Sequence, residues 1–203
     1  MKGIMSAFAL AVLGYSSFSA QASAPDISWN YVSAGYAQAN IKNISNNRIK
    51  PDGYQVNASF LLSDNLYLAA TYTDLSGGIV LDNILGQSLK ISDFSVRLGM
   101  RQAATETIDS FFEAGYVRST IGVKGFTDND SNGFQAGAGF RYRATPRIEL
   151  AAAMRYTNGS ESDSATFGDL STRIKLTSMF DLYASYQFDS DQSLLATGVV
   201  FNF

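Results

Sequence analysis

The sequence predicts an all-β chain closed on itself as an antiparallel, up-and-down transmembrane β-barrel of about ten strands. Three observations carry this prediction. Segments of roughly ten residues alternate between apolar and polar side chains, the period of a strand with one face in each environment. Beyond the first residues no stretch of roughly 18 apolar residues exists, so no helix can make the crossing. A chain that spans lipid without helices must pair every backbone group between strands, and only a closed barrel does so.

The N-terminus reads as an export leader. Met1 and Lys2 form a short positive start, an apolar run extends from Ile4 to Leu13, and small residues follow. That apolar run is too short to act as a membrane anchor. Two A-x-A sites overlap, Ala20-Gln21-Ala22 and Ala22-Ser23-Ala24. Cleavage is expected after Ala22, because Pro25 would hinder a peptidase acting after Ala24. The leader is thus residues 1–22, and 23–203 form a single domain.

The strands follow in order. Five triplets each close an alternating run: Ala34-Gly35-Tyr36, Ala70-Thr71-Tyr72, Ala114-Gly115-Tyr116, Met154-Arg155-Tyr156 and Ala184-Ser185-Tyr186. They predict five ascending strands with Tyr36, Tyr72, Tyr116, Tyr156 and Tyr186 at one membrane interface, a depth that amphipathic rings favour. Five descending strands begin near Tyr54, Phe94, Phe134, Thr172 and Leu194. Phe60, Phe140, Tyr142, Phe201 and Phe203 would form the opposite girdle. Along Asp93–Arg101, Phe94, Val96, Leu98 and Met100 share one face, and Ser95, Arg97, Gly99 and Arg101 share the other.

Connections alternate in length, as they do in outer-membrane barrels. Short turns are expected at Ser63-Asp64-Asn65, Ala104-Thr105-Glu106, Ala144-Thr145-Pro146 and Phe180-Asp181. Longer links would run over residues 40–52, 75–92, 120–132 and 158–171. The link at 75–92 is unusually apolar, with Gly77-Gly78 among Ile79, Val80, Leu81, Ile84 and Leu85. It is expected to fold into the barrel mouth as a plug or to contact a partner. The connection 189–192 is short although it should face outward. An eight-stranded barrel, with 171–188 as a hairpin or bent loop, is therefore the alternative.

The chain ends at Phe203 inside an alternating segment. This ending and the hairpin from Gly133 through Arg143 to Leu150 resemble small porin-like outer-membrane barrels of the OmpA and OmpX type. The resemblance covers essentially the whole mature chain. It implies residence in the bacterial outer membrane, contact with its lipids and lipopolysaccharide, and recognition of Phe203 by the insertion machinery. It implies no particular activity.

On this reading the polar face fills the lumen. Arg97, Arg101, Asp109, Glu113, Arg141, Arg143, Glu149 and Arg155 are expected there as a charged network, since buried charges must pair. A turn centred on Thr105 would set Arg97 opposite Glu113 and Arg101 opposite Asp109. A turn centred on Pro146 would set Arg143 opposite Glu149.

Other chemistry is narrow. The chain has no Cys and no His, which removes thiol catalysis, Ser–His mechanisms and the commonest metal ligand. Its net charge of −3 argues against nucleic acid. Asp128-Asn129-Asp130-Ser131-Asn132-Gly133 matches the start of a calcium loop. It lacks the closing Glu, since position twelve is Gly139, so it reads as a polar loop. Asp128, Asp130, Glu161, Asp163, Asp169, Asp189 and Asp191 read as solvated loop acids. No enzyme activity, metal or cofactor is expected. The expected function is a structural, surface-interaction or porin-like role. The alternatives are a narrow channel with weak anion preference and a soluble periplasmic barrel binding an apolar ligand.

Overall fold

The computed structural model describes residues 27–42, 48–81, 84–123, 128–159 and 164–203. The expected leader and its cleavage sites lie outside the described residues. Ten long strands form the wall: β1 (Tyr31–Lys42), β3 (Asp52–Leu61), β4 (Leu66–Leu81), β5 (Ile84–Ala103), β6 (Ile108–Val123), β7 (Asn129–Arg143), β8 (Ile148–Gly159), β9 (Ala165–Lys175), β10 (Phe180–Phe188) and β11 (Gln192–Asn202). A two-residue strand, β2 (Arg48–Ile49), pairs with the end of β1. Neighbours are antiparallel and follow chain order, and β11 closes on β1 from Tyr31↔Asn202 to Ile41↔Gln192. The eight-stranded alternative fails, because β9 and β10 pair with each other and with β8 and β11. At the closing seam Gly35 faces Gly198. A Cβ on either would meet a carbonyl oxygen across the seam at 2.1 or 2.2 Å, so the two strands come this close because both residues lack side chains.

Four tight turns, at residues 62–65, 104–107, 144–147 and 176–179, lie at the end that also holds Tyr31 and Asn202. Threonine hydroxyls organise three of them. Thr105 Oγ1 accepts from the backbone N–H of Thr107, Thr145 Oγ1 from Arg147 and Ile148, and Thr177 Oγ1 from Met179 and Phe180. The fourth turn was expected at Phe180-Asp181 and lies earlier. Thr177 fixes it, and Phe180 opens β10 facing outward against Phe201, with ring centroids 5.5 Å apart.

The links at the other end are shorter than the sequence suggests, because the strands run on. The segment 75–92 is not a plug folded into the mouth. Its backbone continues the β4–β5 ladder to Leu81↔Ile84, with a register shift between Ile79 and Val80. Its Ile, Val and Leu residues suit an extended ladder. The run from Asp128 behaves likewise, since Asn129 onward is β7. Asp130 accepts from Thr120 Oγ1 at 2.5 Å and Arg118 at 3.0 Å, which together hold its carboxyl below the usual range.

The two faces differ. The outer face carries Leu98, Met100, Met154, Leu195 and Val199, with Leu98 50% and Met154 66% exposed. Tyr36, Tyr116 and Tyr186 are exposed there, and Tyr72 and Tyr156 are half-buried on the same face. Phe60, Phe201 and Phe203 meet near the turns, Phe60 and Phe203 at 5.4 Å. The inner face is mixed: Ser33, Gln55, Ser59, Thr73, Ser95 and Gln135 are buried beside Tyr67, Leu75, Phe111 and Val200. A soluble barrel would reverse this, so that alternative fails. In lipid vesicles, Leu98→Arg should destabilise the fold by roughly 2–4 kcal/mol if it sits at the centre of the apolar band. Equilibrium urea unfolding measures this, and an unchanged midpoint would mean that the outer face does not meet lipid.

Candidate functional site

The lumen is crossed by an ionic belt centred on Glu113. Arg155 Nε donates to Glu113 Oε1 at 2.6 Å, Arg97 Nε lies 3.3 Å from the same oxygen, and Tyr67 O–H donates to Oε2 at 3.0 Å. The other branch of Arg155 pairs with Asp169, which also accepts from Gln187 at 3.3 Å. Arg97 is completed by Ser95, Gln135 and Thr71. Carboxylates on β6 and β9 thus hold guanidinium groups from β5 and β8, and both signs of charge are satisfied in a confined space. Gly99 makes room for this: a Cβ there would lie 2.2 Å from the Tyr67 ring, whose hydroxyl must reach Glu113.

The expected pairing is met diagonally and not face to face. The β5–β6 ladder sets Arg97 opposite Gly115, Glu113 opposite Gly99, Arg101 opposite Phe111 and Asp109 opposite Ala103. The four-residue turn shifts the register by one inward position from a centre at Thr105. The long arginines cover that offset, and Arg101 still bridges Asp109 at 3.0 Å. In the next hairpin Arg143 is opposite Glu149 as expected. Glu149 nevertheless bonds Arg141, at 2.6 and 2.7 Å, while Arg143 Nη2 donates to the Glu106 carbonyl at 3.3 Å.

Nearer the turns the expected Arg101, Asp109, Arg141 and Glu149 gather around Trp29, which the sequence reading did not identify. The segment preceding β1 turns into the barrel and buries Ile27 and Trp29, the latter 4% exposed. Trp29 Nε1 donates to Asp109 Oδ2 at 2.7 Å. Its ring lies 4.5 Å from that of Tyr67 and 5.8 Å from that of Phe111. The Arg141 guanidinium sits 4.5 Å from its centroid, and Arg101 lies 5.8 Å away. The segment is tied at both ends. Arg141 Nη2 donates to the Ser28 carbonyl at 2.9 Å, and Asn30 Oδ1 accepts from the Leu61 N–H at 2.7 Å. Beside it Arg173 stacks 3.8 Å over Tyr31. Trp29 shows no strand periodicity, which hides it. Tyr67, Phe111 and Tyr183 could have been found by parity, since each shares the face of a polar inward residue on its strand.

Two cavities flank this cluster. One, of about 620 Å³, extends from Trp29 toward the loop end, and the other, of about 360 Å³, lies among the turns. Glu149 and Arg173 line both, and Trp29 and Arg141 stand at the inner end of the larger one. The two clusters collect seven of the expected lumen residues, while Arg143 stands at the turn rim. The expected interface aromatics stay outside, on the lipid face.

Residues 8–188 match the family model of the outer membrane protein beta-barrel domain. The chain belongs to this family. Its members are small barrels of the OmpA and OmpX type, and membership places the protein in the bacterial outer membrane. No curated protein matches the sequence. Among solved structures, the NanC porin is similar at 9% identity and a TM-score of 0.52, covering 85% of this chain and 100% of that one. OprG from Pseudomonas aeruginosa is similar at 12% identity and a TM-score of 0.50, covering 90% and 99%. Ail, the attachment invasion locus protein of Yersinia pestis, shows 15% identity and a TM-score of 0.47, covering 84% and 97%. For NanC and OprG, at these identities, the likeness is one of fold.

Glu113→Gln should leave two buried arginines short of charge. A loss of about 3 kcal/mol is expected, the lower end of the range for breaking a buried pair, because Asp169 stays on Arg155. Urea unfolding in lipid tests this, and a loss within error of zero would show that the belt is solvated.

Proposed function

We propose that this protein is a closed outer-membrane barrel with a structural or surface-interaction role, its lumen sealed on the turn side. The observation that carries this reading is the seat of Trp29, which lies across the lumen between Tyr67, Phe111 and Arg141 and is tethered by Ser28 and Asn30. The belt at Glu113 narrows the lumen above it, and the cavity passes it to reach Trp29. Arg97, Arg101, Arg141 and Arg155 each contact a carboxylate. That removes the ground for an anion-preferring pore.

The reading includes export by a leader removed after Ala22 or Ala24. It also includes insertion directed by Phe203 and contact of the tyrosine belt with outer-membrane lipid and lipopolysaccharide. No catalytic role is proposed: the chain has no His or Cys, and the lumen acids at the belt are held by arginines. A narrow channel is the second reading. It draws on the large cavity that reaches down to Trp29.

Conductance separates the two. The refolded mature protein, its fold verified by a heat-dependent shift on a detergent gel, should give no steady steps in a planar bilayer. Trp29→Ala combined with Arg141→Ala should open discrete conductance. Steady, discrete conductance of the unaltered protein would overturn the closed reading in favour of the channel.

A further inference from the structure

The outward half of the lumen contains an acid that the ionic belt does not use. Asp93 on β5 faces the cavity, directly opposite Thr73 on β4 and Ser119 on β6. Ser119, its cross-strand neighbour, places a hydroxyl beside it. Asp109, Glu113, Glu149 and Asp169 each have an arginine at bonding distance. Among the described residues no lysine or arginine forms an ion pair with Asp93. A carboxylate enclosed in a lumen and left without a countercharge is costly, and a cationic group would offset that cost.

The surroundings of Asp93 narrow the kind of cation. The next inward row toward the loop end is Leu75, Ile91 and Ile121, aligned across β4, β5 and β6. Leu75 belongs to an apolar cluster with Ala39, against which Ile41, Ile91 and Leu194 pack. All of these line the cavity of about 620 Å³. The order inward from the loop end is therefore an apolar collar, then a row of Thr73, Asp93 and Ser119, then the belt. The volume lies within the roughly 300–1,000 Å³ of small-molecule sites. A metal ion would leave the collar unused, and an apolar ligand would leave Asp93 uncompensated.

We propose that this chamber binds a small organic cation, a primary ammonium joined to an apolar group, with the ammonium on Asp93 and the apolar part against the collar. The ammonium donates to the Asp93 carboxylate, and Thr73 and Ser119 offer neighbouring hydroxyl oxygens. The ligand enters from the loop end. That direction rests on the closed reading of the turn side, and the binding chemistry does not.

The test is calorimetric titration of the refolded mature protein in detergent with 2-phenylethylammonium chloride. The same titration into empty detergent micelles is subtracted. Saturable binding near one per chain is expected. Neutral 2-phenylethanol and anionic phenylacetate should bind at least about tenfold more weakly, since a charge-assisted contact would be lost. Asp93→Asn, verified as folded by the heat-dependent gel shift, should weaken the ammonium by a similar factor. No saturable binding, equal binding of the alcohol, or unchanged affinity in Asp93→Asn would each overturn the proposal. Conductance is read separately: a protein that conducts steadily and still binds the ammonium through Asp93 keeps this site and loses only the closed turn side.

Discussion

Closure of the backbone ladder is the constraint on which the rest of the structure depends. In lipid an unpaired N–H or C=O has no water to complete it, so a free strand edge is not tolerated. The β1–β11 pairing removes that edge. Closing a wall of ten strands also fixes the lumen as a narrow space, because barrel diameter grows with strand number. Whatever points inward must then fit against side chains from the opposite wall. Gly99, which admits the Tyr67 ring, and the glycine pair at the seam follow from the same geometry.

Narrowness in turn dictates the electrostatics. The inward charges are not free to hydrate as they would on a surface. Each belt arginine reaches a carboxylate, and Glu113 takes two arginines and a tyrosine hydroxyl at once. Such a network contributes little net stability against a well-packed apolar alternative, and breaking it is expensive. The network also ties strands β4 to β10 to one another across the lumen. The turn end fills its space with a folded-in segment whose aromatic ring lies among the pairs Arg101–Asp109 and Arg141–Glu149.

The division between what was legible in the sequence and what was not follows this physics. The alternation of Phe94, Val96, Leu98 and Met100 with Ser95, Arg97, Gly99 and Arg101 is local, and lipid enforces it residue by residue. The strands and the sorting of their side chains into two faces could therefore be read directly, whereas the pattern left eight strands open beside ten, a choice the pairing of β9 and β10 decides. The turns at 62–65, 104–107 and 144–147 could also be placed, whereas the fourth, at 176–179, precedes the Phe180-Asp181 expected for it. The register error at Thr105 comes from the pattern itself. A period-two pattern survives a shift of one inward position, so periodicity cannot choose between the two registers. Arginine reach then hid the error, since the same partners meet in either case.

Trp29 shows the remaining gap most clearly. It lies outside every strand, so no pattern assigns it to a face. What places it is a set of distant partners, Asp109, Tyr67, Phe111 and Arg141, whose convergence exists only once the barrel has closed. The dependence runs in one direction: the wall can be complete without the segment, whereas the segment has no seat without the wall. The plug is therefore the element most weakly coupled to the backbone ladder, held by side-chain contacts and a few backbone hydrogen bonds.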